Sequence, residues 1–303
     1  MVIQSFEGLV SKVQACATIK RVAVVAAHDE HTLEAVFKAV EDKIVQPILI
    51  GNKEKILTIL NNMNCTFDEA GIFETDSDQA SAELGVKMIR EGKADFLMKG
   101  KLNTSDMLRA VVNKETGLRD GSVMSIVALH EVPSYHKLLC ITDGGMMMYP
   151  DLNEKKQILT NAVNTYLRLG YEKPKVAVLA AVETVNPKMP ESVDAAELKA
   201  MSLTGEIENC IVEGPISYDL TMSKESAAIK GFSSEVCGEA DILIVPNITA
   251  GNILSKALVY SAGAKMAGIV VGAKVPIVIT SRGASTEEKY LSMALSAFAS
   301  NQQ

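Results

Sequence analysis

The chain has 303 residues, 48% of them hydrophobic and 22% charged, with a formal net charge of −7 and a pI of about 5.3. That length accommodates two ordinary domains, and that composition excludes disorder as the default. The acidic balance, without any Lys/Arg-rich run, excludes a nucleic-acid-binding face, so an anionic ligand must be held by a few local cations and backbone N–H groups.

In chain order, the first thirteen residues are interrupted by Glu7 and Lys12 and lack the apolar core of a signal peptide, which predicts a cytoplasmic protein. Short β-branched runs then alternate with helical patterns. Strands are predicted at Arg21–Ala26, Pro47–Ile50, Phe96–Lys99, Ser125–Leu129, Leu138–Thr142, Lys175–Ala180, Asn209–Val212, Asp241–Val245, Ile269–Val271 and Pro276–Thr280. Helical spacing covers Thr32–Ala39, Asp78–Arg90, Glu154–Leu169, Val193–Met201, Asn252–Ala264 and Glu287–Ala299. The longest apolar stretches, such as Val176–Val182, are strand-sized and far short of the roughly 18 residues of a membrane helix.

Strand-then-helix repetition with continuous apolar strands predicts an α/β protein built from two doubly wound domains. Pro133 and the Ala273–Pro276 segment break strand-like runs. They suggest a discontinuous first domain, residues 1–132 plus 274–303, and an inserted second domain, residues 133–273.

No GxxxxGK[ST] loop, strand-following GxGxxG, GxSxG or HExxH occurs. Attention therefore falls on polar turns at the carboxyl ends of strands, where open α/β sheets bind ligands. The first runs from Lys99 to Arg109. Asn103 or Thr104 can cap a helix whose free N–H groups attract an anion, Lys99 stands at the strand end, and Arg109 lies about one and a half turns along with a bidentate fork. An ordinary cap with solvated cations fits the same residues.

The second turn, Thr280–Glu288, sets Ser281 beside Arg282, and Ser285 with Glu288 matches a capping box. In the third, Asn247 and Asn252 offer hydrogen bonds and Gly251 permits close backbone approach to a ligand, although a helix start needs such residues anyway. Asp143, in Thr142-Asp143-Gly144-Gly145, orients a partner or caps a turn. Met146–Met148 suits either an acyl-chain wall or plain core. The five cysteines and four histidines fit no metal spacing, so no metal is expected and the thiols read as reduced.

Seven segments in order, MKGKLNTSDMLR (Met98–Arg109), GLRDG (Gly117–Gly121), ITDGGMMMYPD (Ile141–Asp151), VNPKMPESVDAAEL (Val185–Leu198), VEGPISYDL (Val212–Leu220), ADILIVPNITAGN (Ala240–Asn252) and PIVITSRGAS (Pro276–Ser285), carry a resemblance to the phosphate acetyl/butyryltransferase family, more closely to its butyryltransferase branch. The resemblance implies two α/β domains with an inter-domain cleft, like isocitrate and isopropylmalate dehydrogenases, and a homodimer or higher homo-oligomer. It implies exchange of a short acyl group between coenzyme A, as substrate, and phosphate. No permanently bound cofactor, nucleic acid or membrane is involved.

Ser281 and Arg282 match the family's serine–arginine pair, Arg109 its phosphate-binding arginine, and Glu287 or Glu288 its following acidic residue. Lys99, Asn103 and Thr104 fall to the phosphate; Asp143, Asn247, Gly251 and Asn252 fall to the substrate and CoA cleft. Gly144 stands where the acetyl branch carries cysteine, which favours a longer acyl chain. Phosphate acetyl transfer, a non-catalytic acyl-CoA or acyl-phosphate sensor, and a dehydrogenase of the related fold are the rival readings. The last would need a nucleotide turn and an aspartate cluster that the sequence lacks.

Overall fold

A computed structural model describes residues 2–281 and 283–300. The chain divides into two compact units, one of Glu7–Ser122 with Ala267–Gln303 and one of Met1–Phe6 with Val123–Met266. We call these the first and second unit.

The first unit begins with α1 (Phe6–Gln14) and then alternates β1 (Lys20–Val25), α2 (Glu30–Glu41), β2 (Val45–Gly51), α3 (Lys53–Asn62), β3 (Ile72–Glu74), α4 (Asp78–Arg90), β4 (Phe96–Lys99) and α5 (Thr104–Val111). The second unit carries β5 (Ser125–Glu131), β6 (Leu138–Thr142), α6 (Leu152–Arg168), β7 (Lys175–Leu179), α7 (Pro190–Leu203), β8 (Ile211–Ile216), α8 (Tyr218–Met222), α9 (Lys224–Ile229), β9 (Ile242–Ile244) and α10 (Ile248–Ala262). The chain then returns to the first unit through β10 (Lys265–Val271), β11 (Ile277–Val278) and α11 (Thr286–Ser300).

Strands of the first unit run in the order β3-β2-β1-β4-β11-β10. All pair parallel except β10 against β11. Val22–Val25 of β1 and Phe96–Met98 of β4 are fully buried, as both-face coverage by helices requires. The second unit orders its strands β5-β6-β9-β7-β8, with β5 antiparallel to β6 and the rest parallel. Its core gathers Ile141, Ala177, Leu179, Ile216, Leu243 and Val245 from the sheet with Leu220, Ala227 and Leu258 from the helices. Both units are the α/β architecture that the strand–helix alternation predicts.

The boundaries differ from those expected at 132/133 and 273/274. β5 pairs with β6 from Ala128↔Ile141 to Glu131↔Leu138, so Pro133 lies in a hairpin connection inside the second unit rather than in a linker. The return crossing falls at Ala267, within β10. Among the elements unpredicted from the sequence, β3 and α3 have weak patterns. β3 buries only Ile72 of its three residues, and α3 buries only Ile56 and Leu60 while Asn52 caps it through Lys55 N at 2.9 Å. Among the described residues no helix is long and apolar enough to cross a membrane, and no three His, Cys, Asp or Glu side chains group as metal ligands.

Candidate active site

The register of the first unit brings three polar turns to one edge. Val25 of β1 pairs with Lys99 of β4, and Met98 pairs with Val278 of β11, so the three strands end nearly level. Parallel bonding continues past β4, Gly100 N donating to Val25 O at 2.8 Å and Lys101 N to Ala26 O at 2.9 Å. The approach is so close that a Cβ on Gly100 would lie 2.4 Å from Ala26 O, which leaves glycine as the residue that fits.

A cavity of about 380 Å³ opens beyond these ends, lined by Asp29, Thr32, Asp78, Lys99–Asn103, Thr280, Ser281 and Lys289. All of these belong to the first unit. Lys99 and Lys289 are 6% and 5% exposed. Lys99 Nζ donates to Gly100 O at 3.1 Å, and Lys289 Nζ to Ala284 O at 3.0 Å. Asp29 accepts from Thr32 N at 3.0 Å and from the Thr32 hydroxyl as the cap of α2, so its carboxylate is largely engaged. Three lysines, Lys99, Lys101 and Lys289, share this cavity with two carboxylates, Asp29 and Asp78, and with the amino end of α5. Asn103 sits at the N-cap of α5 but makes no side-chain cap hydrogen bond; its amide donates to Asp106 Oδ2 at 3.2 Å.

Of the predicted phosphate residues, Lys99 and Asn103 line this cavity and Ser281 joins them there. Thr104 is the exposed first residue of α5 and is not in the lining. Arg109 does not line it either. Its side chain is 69% exposed and pairs with Asp106 at 3.4 Å. Arg282 lies outside the described residues.

In the first turn of α11, Ser285 Oγ accepts from Glu288 N at 3.0 Å, the cap that the spacing predicts. Glu287 is exposed, whereas burial raises the Glu288 carboxyl above the ordinary carboxylate range, opposed in part by Lys289. Lys101, Thr280 and Lys289 were not singled out from the sequence. For Lys289 a signal exists: a lysine in the first turn of a helix opposes the macrodipole and calls for a reason.

The four residues expected at a substrate cleft in the second unit each bond or pack against nearby backbone. Asp143 is buried, and its carboxylate accepts from Gly145 N (2.7 Å), Met146 N (2.8 Å), Met147 N (3.2 Å) and Ile126 N (3.3 Å). Burial raises its pKa, while these four donors pull the other way. Gly251 does allow close approach, but of Gly144. A Cβ on Gly251 would lie 2.8 Å from Gly144 Cα, and Asn252 Nδ2 donates to Gly144 O at 3.3 Å. Asn247 Oδ1 caps α10 through Ala250 N at 3.1 Å and also lines an apolar groove with Tyr149, Ile253 and Leu254.

Fold and cavity together define an α/β protein with a lysine-lined pocket at the carboxyl ends of parallel strands. The family model described as phosphate acetyl/butaryl transferase matches residues 78–297. A phosphate butyryltransferase of Clostridium acetobutylicum is 42% identical over 97% of this chain and 98% of its own length. A phosphate acetyltransferase of Thermotoga maritima is 42% identical over 92% and 94%. The crystal structure of a branched-chain phosphotransacylase from Enterococcus faecalis superposes with a TM-score of 0.82 at 32% identity, covering 94% of this chain and 100% of that one. The chain belongs to the phosphate acetyl/butaryl transferase family and is an acyltransferase.

Proposed function

We propose that this enzyme converts butyryl-CoA, or a similar short or branched acyl-CoA, and phosphate reversibly into acyl phosphate and free CoA, with both substrates bound at once. The juxtaposition of Ser281 with Lys99, Lys101 and Lys289 in one cavity carries the reading. Coenzyme A enters as a substrate. The butyryltransferase and branched-chain relatives, and Gly144 in place of the acetyl branch's cysteine, support the longer acyl chain.

Phosphate held by the lysines and by the amino end of α5 is already desolvated and oriented for attack on the thioester carbonyl. Its oxygen forms the new C–O bond, and the carbonyl electron pair moves onto oxygen. Ser281 donates a hydrogen bond to that oxyanion, an effect worth about 3 kcal/mol in a dry site. Collapse breaks the C–S bond and releases the CoA thiolate. In the reverse direction Glu288 takes the thiol proton. Burial raises its pKa, which suits it to this role, since an ordinary carboxylate is poorly matched to a thiol. By resemblance Arg282 adds a further phosphate contact.

Buried Cys140 and Cys237 form no disulfide, which supports a reducing, cytoplasmic setting. Ile253 and Tyr260, exposed on α10, support the self-association that the resemblance implies, and light scattering on the purified protein tests it. The deciding experiment is thiol release from butyryl-CoA, followed with a chromogenic disulfide, with and without phosphate. Release that requires phosphate is expected; release that ignores phosphate, or none at all, removes the assignment.

A further inference from the structure

We propose that Lys289 is a direct ligand of the phosphate oxygens in the first unit's cavity. The inference rests on the transferase reading only for the identity of the anion. Lys289 is 5% exposed and lines the cavity, and its Nζ donates one hydrogen bond, to Ala284 O at 3.0 Å. An ammonium group carries three N–H donors, so two remain without a protein partner among the described residues. No carboxylate of the described residues lies within ion-pair distance of it. Buried charges persist where they are paired, and Lys289 lines the same cavity as Ser281.

Position sharpens the argument. Lys289 stands in the first turn of α11, where the helix field repels a cation. An anion in the cavity removes that conflict, because the N-terminal field and the ammonium then attract the same group. Lys99, also buried, reaches the same cavity from the end of β4. A phosphate between the two would meet ammonium groups from two elements, an arrangement suited to a dianion. The bond to Ala284 O also ties Lys289 to the turn that follows Ser281, so the same side chain that binds the anion fixes the serine's loop.

The competing explanation is packing: the lysine stem fills the base of α11 and the charge is incidental. Lys289→Met keeps the stem and removes the charge, Lys289→Gln keeps a polar end, and Lys289→Arg keeps the charge. The first readout is the rise in melting temperature caused by inorganic phosphate, against chloride at equal ionic strength, which needs no acyl substrate. The second is the KM for phosphate set against that for butyryl-CoA.

We expect K289M and K289Q to lose most of the phosphate-induced shift and to raise the phosphate KM about tenfold or more. Their butyryl-CoA KM should stay within about twofold of wild type. K289R should retain most of the shift. A wild-type shift and phosphate KM in folded K289M would overturn the proposal. So would failure of both neutral variants to fold while K289R folds, since the role would then be structural. If wild type releases no thiol from butyryl-CoA yet K289M loses the phosphate shift, the transferase reading falls and the anion site stands.

Discussion

Two strand-to-helix turns look alike in sequence and differ in what they leave free. In the second unit, the turn after β6 and the start of α10 direct side-chain groups onto nearby backbone. Asp143 is saturated by four backbone donors, Asn247 caps, and Asn252 reaches back to Gly144. In the first unit, the turns after β4 and β11 leave the Ser281 hydroxyl and two N–H groups of Lys289 without hydrogen bonds among the described residues. The lesson is one of satisfaction: a turn that completes its own hydrogen bonds is scaffolding, and one that leaves donors facing a cavity is built for something absent from the chain.

The comparison is broken most directly at Ser281. Ser281→Ala should lower kcat by about 10² to 10³ with little change in KM, because the hydroxyl is needed at the oxyanion and not for folding. Steady-state kinetics with butyryl-CoA and phosphate decide this, and an unchanged kcat removes the oxyanion role.

Asp143→Ala probes the other turn. Four backbone N–H groups lose their acceptor, so unfolding in urea should show a loss of about 2–4 kcal/mol, with activity falling only in step with the folded fraction. Full stability with abolished activity would mean that this turn, too, acts on substrate.

The smallest effect concerns Glu288. Its carboxyl pKa is raised by burial, so the folded state holds the proton more tightly than the unfolded chain does. Stability from that group is present at low pH and is lost as pH rises through the folded value. Glu288→Gln should therefore melt up to about 2–4 °C higher than wild type near pH 8, and the gap should close as pH falls toward 4. The same variant should lose the acid limb of the kcat/KM profile for the reverse reaction with thiol. A gap that widens on acidification would reverse the sign of the assignment.

Much of the fold was legible. Phe96–Lys99, Leu138–Thr142 and Asp78–Arg90 form as predicted because their apolar periodicity is unambiguous. Boundaries were less so. α10 starts at Ile248, four residues before the predicted Asn252, since Asn247 rather than a later residue supplies the cap. α7 begins at Pro190, which is pre-organised for a first helical turn.

Strand-end position drew attention to Lys99, Asn103 and Ser281, which line one cavity, because open α/β sheets place their ligands at strand ends. Sequence could not tell that Gly251 packs closely against Gly144, a tertiary fact without local trace. Arg109 illustrates the same limit. Its spacing from Lys99 allowed a shared anion, but helical phase carries its guanidinium to Asp106. Lys289 was concealed by its helix, in which a lone cation reads as surface.

The tight passage of Gly100 against the last carbonyls of β1 has a consequence for altering specificity. The base of the anion cavity there is main chain rather than side chain, and Ala26 O leaves no room even for a methyl group at residue 100. Attempts to retune the acceptor toward a larger or differently charged oxyanion therefore have little to work with underneath. Change has to come from the rim, at Lys101 and Asn103, which are exposed and replaceable without disturbing strand ends.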